Sequence, residues 1–261
     1  MGTETGIPSS KIKLYSMMIC PFAQRTRIHL DLTALPHEME DLDICQPRPD
    51  WFLELNPTGQ VPVVLNGDDV VYDSSVVSEY LQEIPGGALP FGETAAERAR
   101  QRGFIKFVDG RFVPAMYLLM AAQTPELRAQ RIEAALETFR WLESFLATPP
   151  SGTPFVNGAF GIPEVVIAPF LLRYEVVNYY QDFALPEDGE FERVIRWRDA
   201  MLALPTVRKT AETVPDLIKL YEDYTIGAYN GAVPPGRERS SLDLATPLAE
   251  RPMPERAAPV R

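Results

Sequence analysis

Cysteine is scarce: Cys20 and Cys45 are the whole complement in 261 residues, so neither a disulfide framework nor a four-cysteine zinc site is available. Histidine is as rare, with His29 and His37 alone, which argues against a multi-histidine metal site. Positive charge is the minority. The 25 Lys and Arg against 36 Asp and Glu leave a net charge of -11, a balance that disfavours nucleic acid or an anionic membrane as a general partner, a local basic groove excepted. Long apolar runs are missing too. Nothing approaches the ~18–20 apolar residues that span a bilayer, and MGTETGIPSSKIKLYS holds no apolar run of signal-peptide length. A soluble, cytoplasmic protein is expected. With 46% hydrophobic residues, the chain can bury a substantial core as one large domain or two ordinary ones.

What is present changes character near the first third of the chain. Lys11 to Tyr15 alternates polar and apolar as a half-buried strand does, and Ile28, Leu32 and Leu35 after Pro21 have helical spacing. His37 to Ile44 predicts a second strand and Pro49 to Asn56 a short helix. Val61 to Leu65, the turn Asn66-Gly67-Asp68-Asp69 and Val70 to Tyr72 predict a hairpin, since Asn and Gly tolerate positive φ. Val76, Val77, Tyr80, Leu81 and Ile84 mark one face of a helix. The order β-α-β-α-β-β-α is that of a thioredoxin-like domain, spanning 10–86. A Pro/Gly-rich linker follows at 84–90. Beyond it, over 94–228, only helical periods appear, in Phe104 to Met120 with Pro114 as a bend, Ile132 to Leu146, an apolar run Val165 to Leu172, Glu190 to Leu204 and Asp216 to Tyr224. Residues 229–261 read as an irregular tail. The fold class is α/β followed by all-α.

Three elements carry chemistry. Cys20-Pro21-Phe22-Ala23 falls where a strand ends and a helix begins, with Pro in a first-turn position that lacks an N–H partner anyway. A cysteine there faces free amides and the positive end of the helix dipole, which favour the nucleophilic thiolate; a small buried hydrophobe is the other reading of that position. Ala23, in place of a second cysteine, means that no internal dithiol forms, so an external thiol must resolve any mixed disulfide. In Asn56 to Val64, Pro62 near a strand start can leave the Val61 N–H and C=O to an extended ligand. A cis Val61–Pro62 bond would aim those groups, but the low frequency of cis X–Pro favours an ordinary bend. Asp73-Ser74-Ser75 precedes a helix, where one residue caps it and spare donors could take a carboxylate.

Cys-Pro-Phe-Ala-Gln-Arg (20–25), Asn-Pro-x-Gly-x-Val-Pro-Val (56–63) and Asp73-Ser74 together resemble the glutathione transferase superfamily, omega class, over residues 11–228. Gln-Pro-Arg-Pro-Asp-Trp (46–51), Leu-Tyr-x-Asp-Tyr-Thr (220–225) and Arg-Pro-Met-Pro (251–254) resemble in particular the bacterial glutathione lyases of lignin β-aryl-ether breakdown. The resemblance implies glutathione as co-substrate and a homodimer, while the scarcity of Cys and His leaves no metal expected. It makes Cys20 the catalytic nucleophile and Phe22 a neighbour packing on the tripeptide. Val61, with Pro62 after it, would pair with the cysteinyl backbone. Asp73, where the class commonly has Glu, and Ser74 would hold the γ-glutamyl end, and Arg48, where many members have Lys, would meet the glycyl carboxylate. Tyr224 is placed in the electrophile pocket or, equally, as cover for the helices. The usual Ser or Thr cap of the central helix is replaced here by Gly161-Ile162-Pro163-Glu164.

The resemblance implies that the Cys20 thiolate attacks the sulfur of a glutathione thioether, such as an aryl ketone conjugate. A second glutathione then releases oxidised glutathione. General thiol transfer or dehydroascorbate reduction uses the same disulfide, and a glutathione-transferase-like scaffold without activity is the rival from another class.

Overall fold

The computed structural model describes residues 11–147 and 152–256; Ser10, at the start of the first expected unit, and 257–261 of the tail lie outside them. The first unit runs β1 (Ile12–Ser16), α1 (Pro21–Thr33), β2 (His37–Asp41), α2 (Asp50–Leu55), β3 (Val63–Asn66), β4 (Asp69–Tyr72) and α3 (Ser74–Glu83), the expected order. The sheet has the order β2-β1-β3-β4, with β2 parallel and β3 antiparallel to β1, so α1 is the crossover that a parallel pair requires. Alternation decides which side of β1 meets which helix. Ile12 and Leu14 pack with Leu30, Val77 and Leu81, whereas Tyr15 packs with Phe52 and Val63 on the other side. In the hairpin, Asn66 pairs with Asp69, so the turn residues are Gly67 and Asp68, and of the two only Gly67 uses positive φ, at 62°. Leu32 and Val76, expected on buried helix faces, are 37% and 54% exposed; each helix is covered on one stripe only, and these positions fall at its edge.

Helices occupy the rest: α4 (Ala95–Phe107), α5 (Val113–Met120), α6 (Pro125–Phe145), α7 (Ile162–Leu172), α8 (Tyr174–Gln181), α9 (Glu192–Leu202), α10 (Pro205–Lys209) and α11 (Val214–Leu220), then a 3-10 turn at Glu222–Ile226. Between α4 and α5 lies a π-helical turn, Val108–Phe112, in which the Val113 N–H reaches the Val108 carbonyl. Pro114 has no N–H for an ordinary i-4 bond, and the wider turn accommodates that loss. α7 is buried along its whole length, as its unbroken apolar run requires. The helical periods of the sequence do not mark α8 or α10; α8 is separated from α7 by Arg173 alone and α10 is one short turn.

The modified cap of α7 has a steric reason. A Cβ at Gly161 would stand 2.1 Å from the Pro90 carbonyl oxygen, which itself accepts from the Ile162 N–H at 3.0 Å. Its φ of -142° is open to any residue, so the close approach of the linker, not conformational freedom, demands glycine. Glu164 supplies the cap from the other side by accepting from the Gly161 N–H at 2.9 Å.

α1 is wedged between the sheet and the helical half and carries long polar side chains into that contact. Gln24 Nε2 donates to the Val207 carbonyl, Arg25 Nε to the Val166 carbonyl and Arg27 Nε to the Thr210 carbonyl, at 3.0, 2.8 and 2.9 Å. Burial pushes the Arg27 guanidinium down to about 10. The tail is irregular but anchored: buried Asp223 accepts from Ser240 Oγ and the Ser241 N–H, and Leu242 is 3% exposed. Among the described residues no helix is long and apolar enough to cross a membrane, and no cluster of metal-ligating side chains occurs.

Candidate active site

Cys20 is the N-cap residue of α1, half-buried, and its N–H bonds the Met17 carbonyl at 2.9 Å. This strand-end turn places the thiol at the helix start. Cys20, Phe22, Arg48, Val61, Pro62, Asp73, Ser74 and Tyr224 all line one cavity of about 890 Å³, within the size range of small-molecule sites. The eight residues picked from sequence are therefore brought together.

Each has a distinct local reason to be there. The Val61–Pro62 bond is cis, against the expectation from its frequency. Among the described residues nothing pairs with the Val61 N–H or C=O, although the residue is 8% exposed, so both groups remain for an extended ligand. Asp73 caps α3, its Oδ1 accepting from the Ser75 and Val76 N–H groups at 2.9 and 3.3 Å. It does so at φ 70° and ψ 122°, a region that side chains avoid and that recurs at binding sites. Buried Ser74 accepts from Arg25 Nη1 at 3.0 Å. Phe22 stacks edge-on against Phe170 at 5.2 Å, which joins the site to α7. Arg48 is less free than a carboxylate anchor would be: Nε donates to the Gly59 carbonyl and Nη1 to the Asp43 and Gln46 carbonyls, leaving Nη2 beside Met17 Sδ at 3.9 Å. Burial lowers its pKa.

Sequence reasoning also missed Arg25, which lies behind the lining, and the lining residues Asp109, Tyr117, Tyr221, Tyr229 and Asn230. Arg25, wholly buried, binds Asp109 Oδ1 through Nη2 at 2.6 Å, and Asp109 Oδ2 accepts from Ser75 Oγ at 2.9 Å. Asp109 sits on the π-helical turn, which aims a residue of the helical half at α3. Burial lowers the Arg25 pKa, and Asp109 opposes that shift. In the sequence Arg25 is one of several polar residues of α1, with Gln24, Arg27 and Asp31, so no local signal singles it out. Tyrosines share the lining with Cys20: Tyr224 lies 4.9 Å from Tyr221, 5.8 Å from Tyr117 and 5.2 Å from Tyr229 between ring centroids. Burial, then Tyr221, pushes the Tyr224 phenol up, so it stays protonated at neutral pH. Tyr229 and Asn230 belong to the tail, which is held over the site where Gly231 passes so near the Ile44 carbonyl that a Cβ would stand 2.8 Å from it.

Asp73 offers a separable test of its two roles. Asp73→Ala is expected to lower unfolding free energy by about 1 kcal/mol through loss of the cap. Asp73→Gly should cost less, because glycine adopts positive φ without penalty. Thermal denaturation beside glutathione titration checks this: both variants should lose affinity, and a glycine variant less stable than the alanine one would refute the conformational argument.

Comparison with known proteins agrees with the geometry. Residues 19–84 match the profile described as glutathione S-transferase, N-terminal domain, and residues 125–200 that of the C-terminal domain. The "Probable glutathione S-transferase GSTU6" of Oryza sativa subsp. japonica is 31% identical over 218 residues, covering 80% of this chain and 90% of the relative. The "Probable glutathione transferase omega-2" of Caenorhabditis elegans is 25% identical over 232 residues, 85% of this chain and 89% of the relative. The crystal structure of a rice glutathione transferase in complex with glutathione superposes with a TM-score of 0.71 at 22% identity, over 80% of this chain and 95% of that one. This protein belongs to the glutathione S-transferase family, with omega-class proteins among its relatives.

Proposed function

We infer that the protein is an omega-like, glutathione-dependent thiol transferase and lyase in which Cys20 removes glutathione from a thioether or mixed disulfide. The observation that carries this reading is the half-buried thiol at the start of α1, in one cavity with the unpaired Val61 backbone, Asp73 and Ser74. The Val61 backbone suits the cysteinyl part of glutathione, and Asp73 with Ser74 suits the γ-glutamyl end. Nη2 of Arg48 is the group left for the glycyl carboxylate. The Cys20 thiolate forms an S–S bond to the glutathione sulfur while the C–S or S–S bond to the leaving group breaks and its electron pair departs with that group, which is then protonated. Ala23 cannot resolve the resulting disulfide, so a second glutathione does, giving oxidised glutathione and free Cys20.

The four tyrosines favour an aromatic conjugate, and an aryl ketone thioether fits best because its carbanion is delocalised as an enolate. This is the glutathione lyase chemistry that the lignin-pathway resemblance implies. We place it in the cytoplasm, in a chain divided as 10–86, 94–228 and a tail at 229–261, and in a two-fold dimer with one glutathione site per chain. A turnover panel of aryl ketone glutathione thioethers, dehydroascorbate and hydroxyethyl disulfide tests the reading. Cleavage of the thioethers with stoichiometric oxidised glutathione supports it; turnover of the other two alone leaves general omega-type thiol transfer, and none at all leaves a scaffold.

A further inference from the structure

Arg173 has no part in the reading above, and the rings of Tyr221 and Tyr117 enter it while their hydroxyls are given no role. Arg173, between α7 and α8 and 3% exposed, donates from Nη2 to the Ile19 carbonyl at 2.6 Å and from Nη1 to Gln24 Oε1 and the Pro169 carbonyl, both at 2.8 Å. Its Nε donates to the Tyr221 hydroxyl at 2.7 Å. Tyr221 is 1% exposed, and its other hydrogen-bond partner among the described residues is the Tyr117 hydroxyl at 3.2 Å.

These contacts fix where the protons lie. A guanidinium only donates, so the Tyr221 oxygen accepts from Arg173. The Tyr221 proton then takes the Tyr117 oxygen as its acceptor, because Tyr221 borders the cavity with only 1% of its surface exposed. Tyr117 therefore accepts, and its own proton is left without an acceptor among the described residues. Tyr117 lines the cavity that holds Cys20. The chain from Arg173 through Tyr221 thus ends in a free phenolic O–H at the site, with each donor polarised by the one before it. Burial, then Tyr221, raises the Tyr117 pKa well above its ordinary value, which keeps that proton in place at neutral pH. The same guanidinium holds the carbonyl of the residue before Cys20, so nucleophile and donor are referred to one rigid group.

We propose that Tyr117 is the hydrogen-bond donor to the carbonyl oxygen of the aryl ketone conjugate and that Tyr221 and Arg173 are its positioning residues. This rests on the thioether-cleaving reading. As the Cys20–glutathione S–S bond forms, the C–S bond breaks and its electron pair passes through the carbon to the carbonyl oxygen. That oxygen becomes an enolate held by the Tyr117 O–H; the carbon then takes a proton from solvent, and a second glutathione reduces the mixed disulfide. Preorganised donors aimed at developing oxyanions are worth on the order of 10²–10³ in rate. A mixed disulfide develops no such oxygen.

The test compares kcat/KM for S-phenacylglutathione with that for the glutathione–mercaptoethanol disulfide in the wild type, Tyr117→Phe, Tyr221→Phe and Tyr224→Phe. The thioether-to-disulfide ratio should fall on the order of 10²-fold in Tyr117→Phe and by about tenfold in Tyr221→Phe, where the donor loses its orientation, with a smaller change in Tyr224→Phe. Equal losses on both substrates, or a larger ratio change in Tyr224→Phe, would overturn the assignment. Binding gives a readout that needs no turnover. The wild type should prefer acetophenone over ethylbenzene by about tenfold, the worth of one net hydrogen bond, and Tyr117→Phe should lose that preference. No preference in the wild type, or one kept in Tyr117→Phe, overturns the donor. A wild type that prefers the ketone yet leaves the phenacyl thioether intact overturns the lyase reading and supports the donor as a ligand site.

Discussion

Cys20→Ser is expected to lower reductive removal of glutathione by more than about 10³-fold, as loss of a covalent nucleophile does in other enzymes. Serine keeps the size of the side chain and suits an N-cap better than cysteine, so α1 and the cavity should survive. The residues assigned to glutathione, Val61, Asp73 and Ser74, lie on other segments, and glutathione affinity should change by less than about tenfold. Steady-state release of oxidised glutathione, together with a binding titration on the same variant, separates the two effects. Activity within tenfold of the wild type would remove Cys20 from the mechanism and turn attention to Cys45. That thiol sits outside the cavity lining and is pushed up by burial and by Asp43, which makes it a poor nucleophile at neutral pH.

Glu164→Ala should have the largest effect on stability. The carboxylate is fully buried; Oε1 accepts from the Val156 N–H and from Trp197 Nε1, both at 2.9 Å, and Oε2 from the Gly161 N–H. Alanine would strand three donors, two of them buried, and open a cavity beside the helix that carries Phe170. Such losses sum to about 4 kcal/mol, or on the order of 10 °C in Tm for a chain of this size. Glu164→Gln keeps one acceptor oxygen but turns an amide N–H₂ toward another donor, so about 1–3 kcal/mol is expected there. Denaturant unfolding of both variants checks the order, and an alanine variant within 1 kcal/mol of the wild type would show that water or neighbouring groups satisfy these donors.

Much of this was readable from sequence where the signal is local. The strand–helix order follows from periodicity, Asp73 caps as its place before an apolar helix demands, and Glu164 reaches back to Gly161 as a modified capping box should. What could not be read are contacts made by chain segments far apart. Nothing near Gly161 announces that Pro90 lies against it, and nothing near Glu164 announces Trp197. Asp109 lies between apolar helical residues in the sequence, and only the π-helical turn, which accommodates Pro114, places it against Arg25 and Ser75. Tyr117 and Tyr221 satisfy the same helical period whether they fill a core or line a pocket, so periodicity is silent on the difference. The cis bond before Pro62 depends on surroundings that a frequency cannot foresee.

The polar contact between α1 and the helical half bears on how such proteins can be recombined. Gln24, Arg25 and Arg27 take their acceptors from the carbonyls of Val207, Val166 and Thr210, while Arg173 returns the favour to Ile19 and Gln24. An apolar seam tolerates any neighbour of similar shape, but guanidiniums shielded from water must donate to oxygens at fixed places. The first half is therefore no portable cassette. A chimera that grafted it onto another helical half would have to carry those carbonyl positions with it, and halves separated by cutting the 84–90 linker would expose both the arginines and the carbonyls they bind to water.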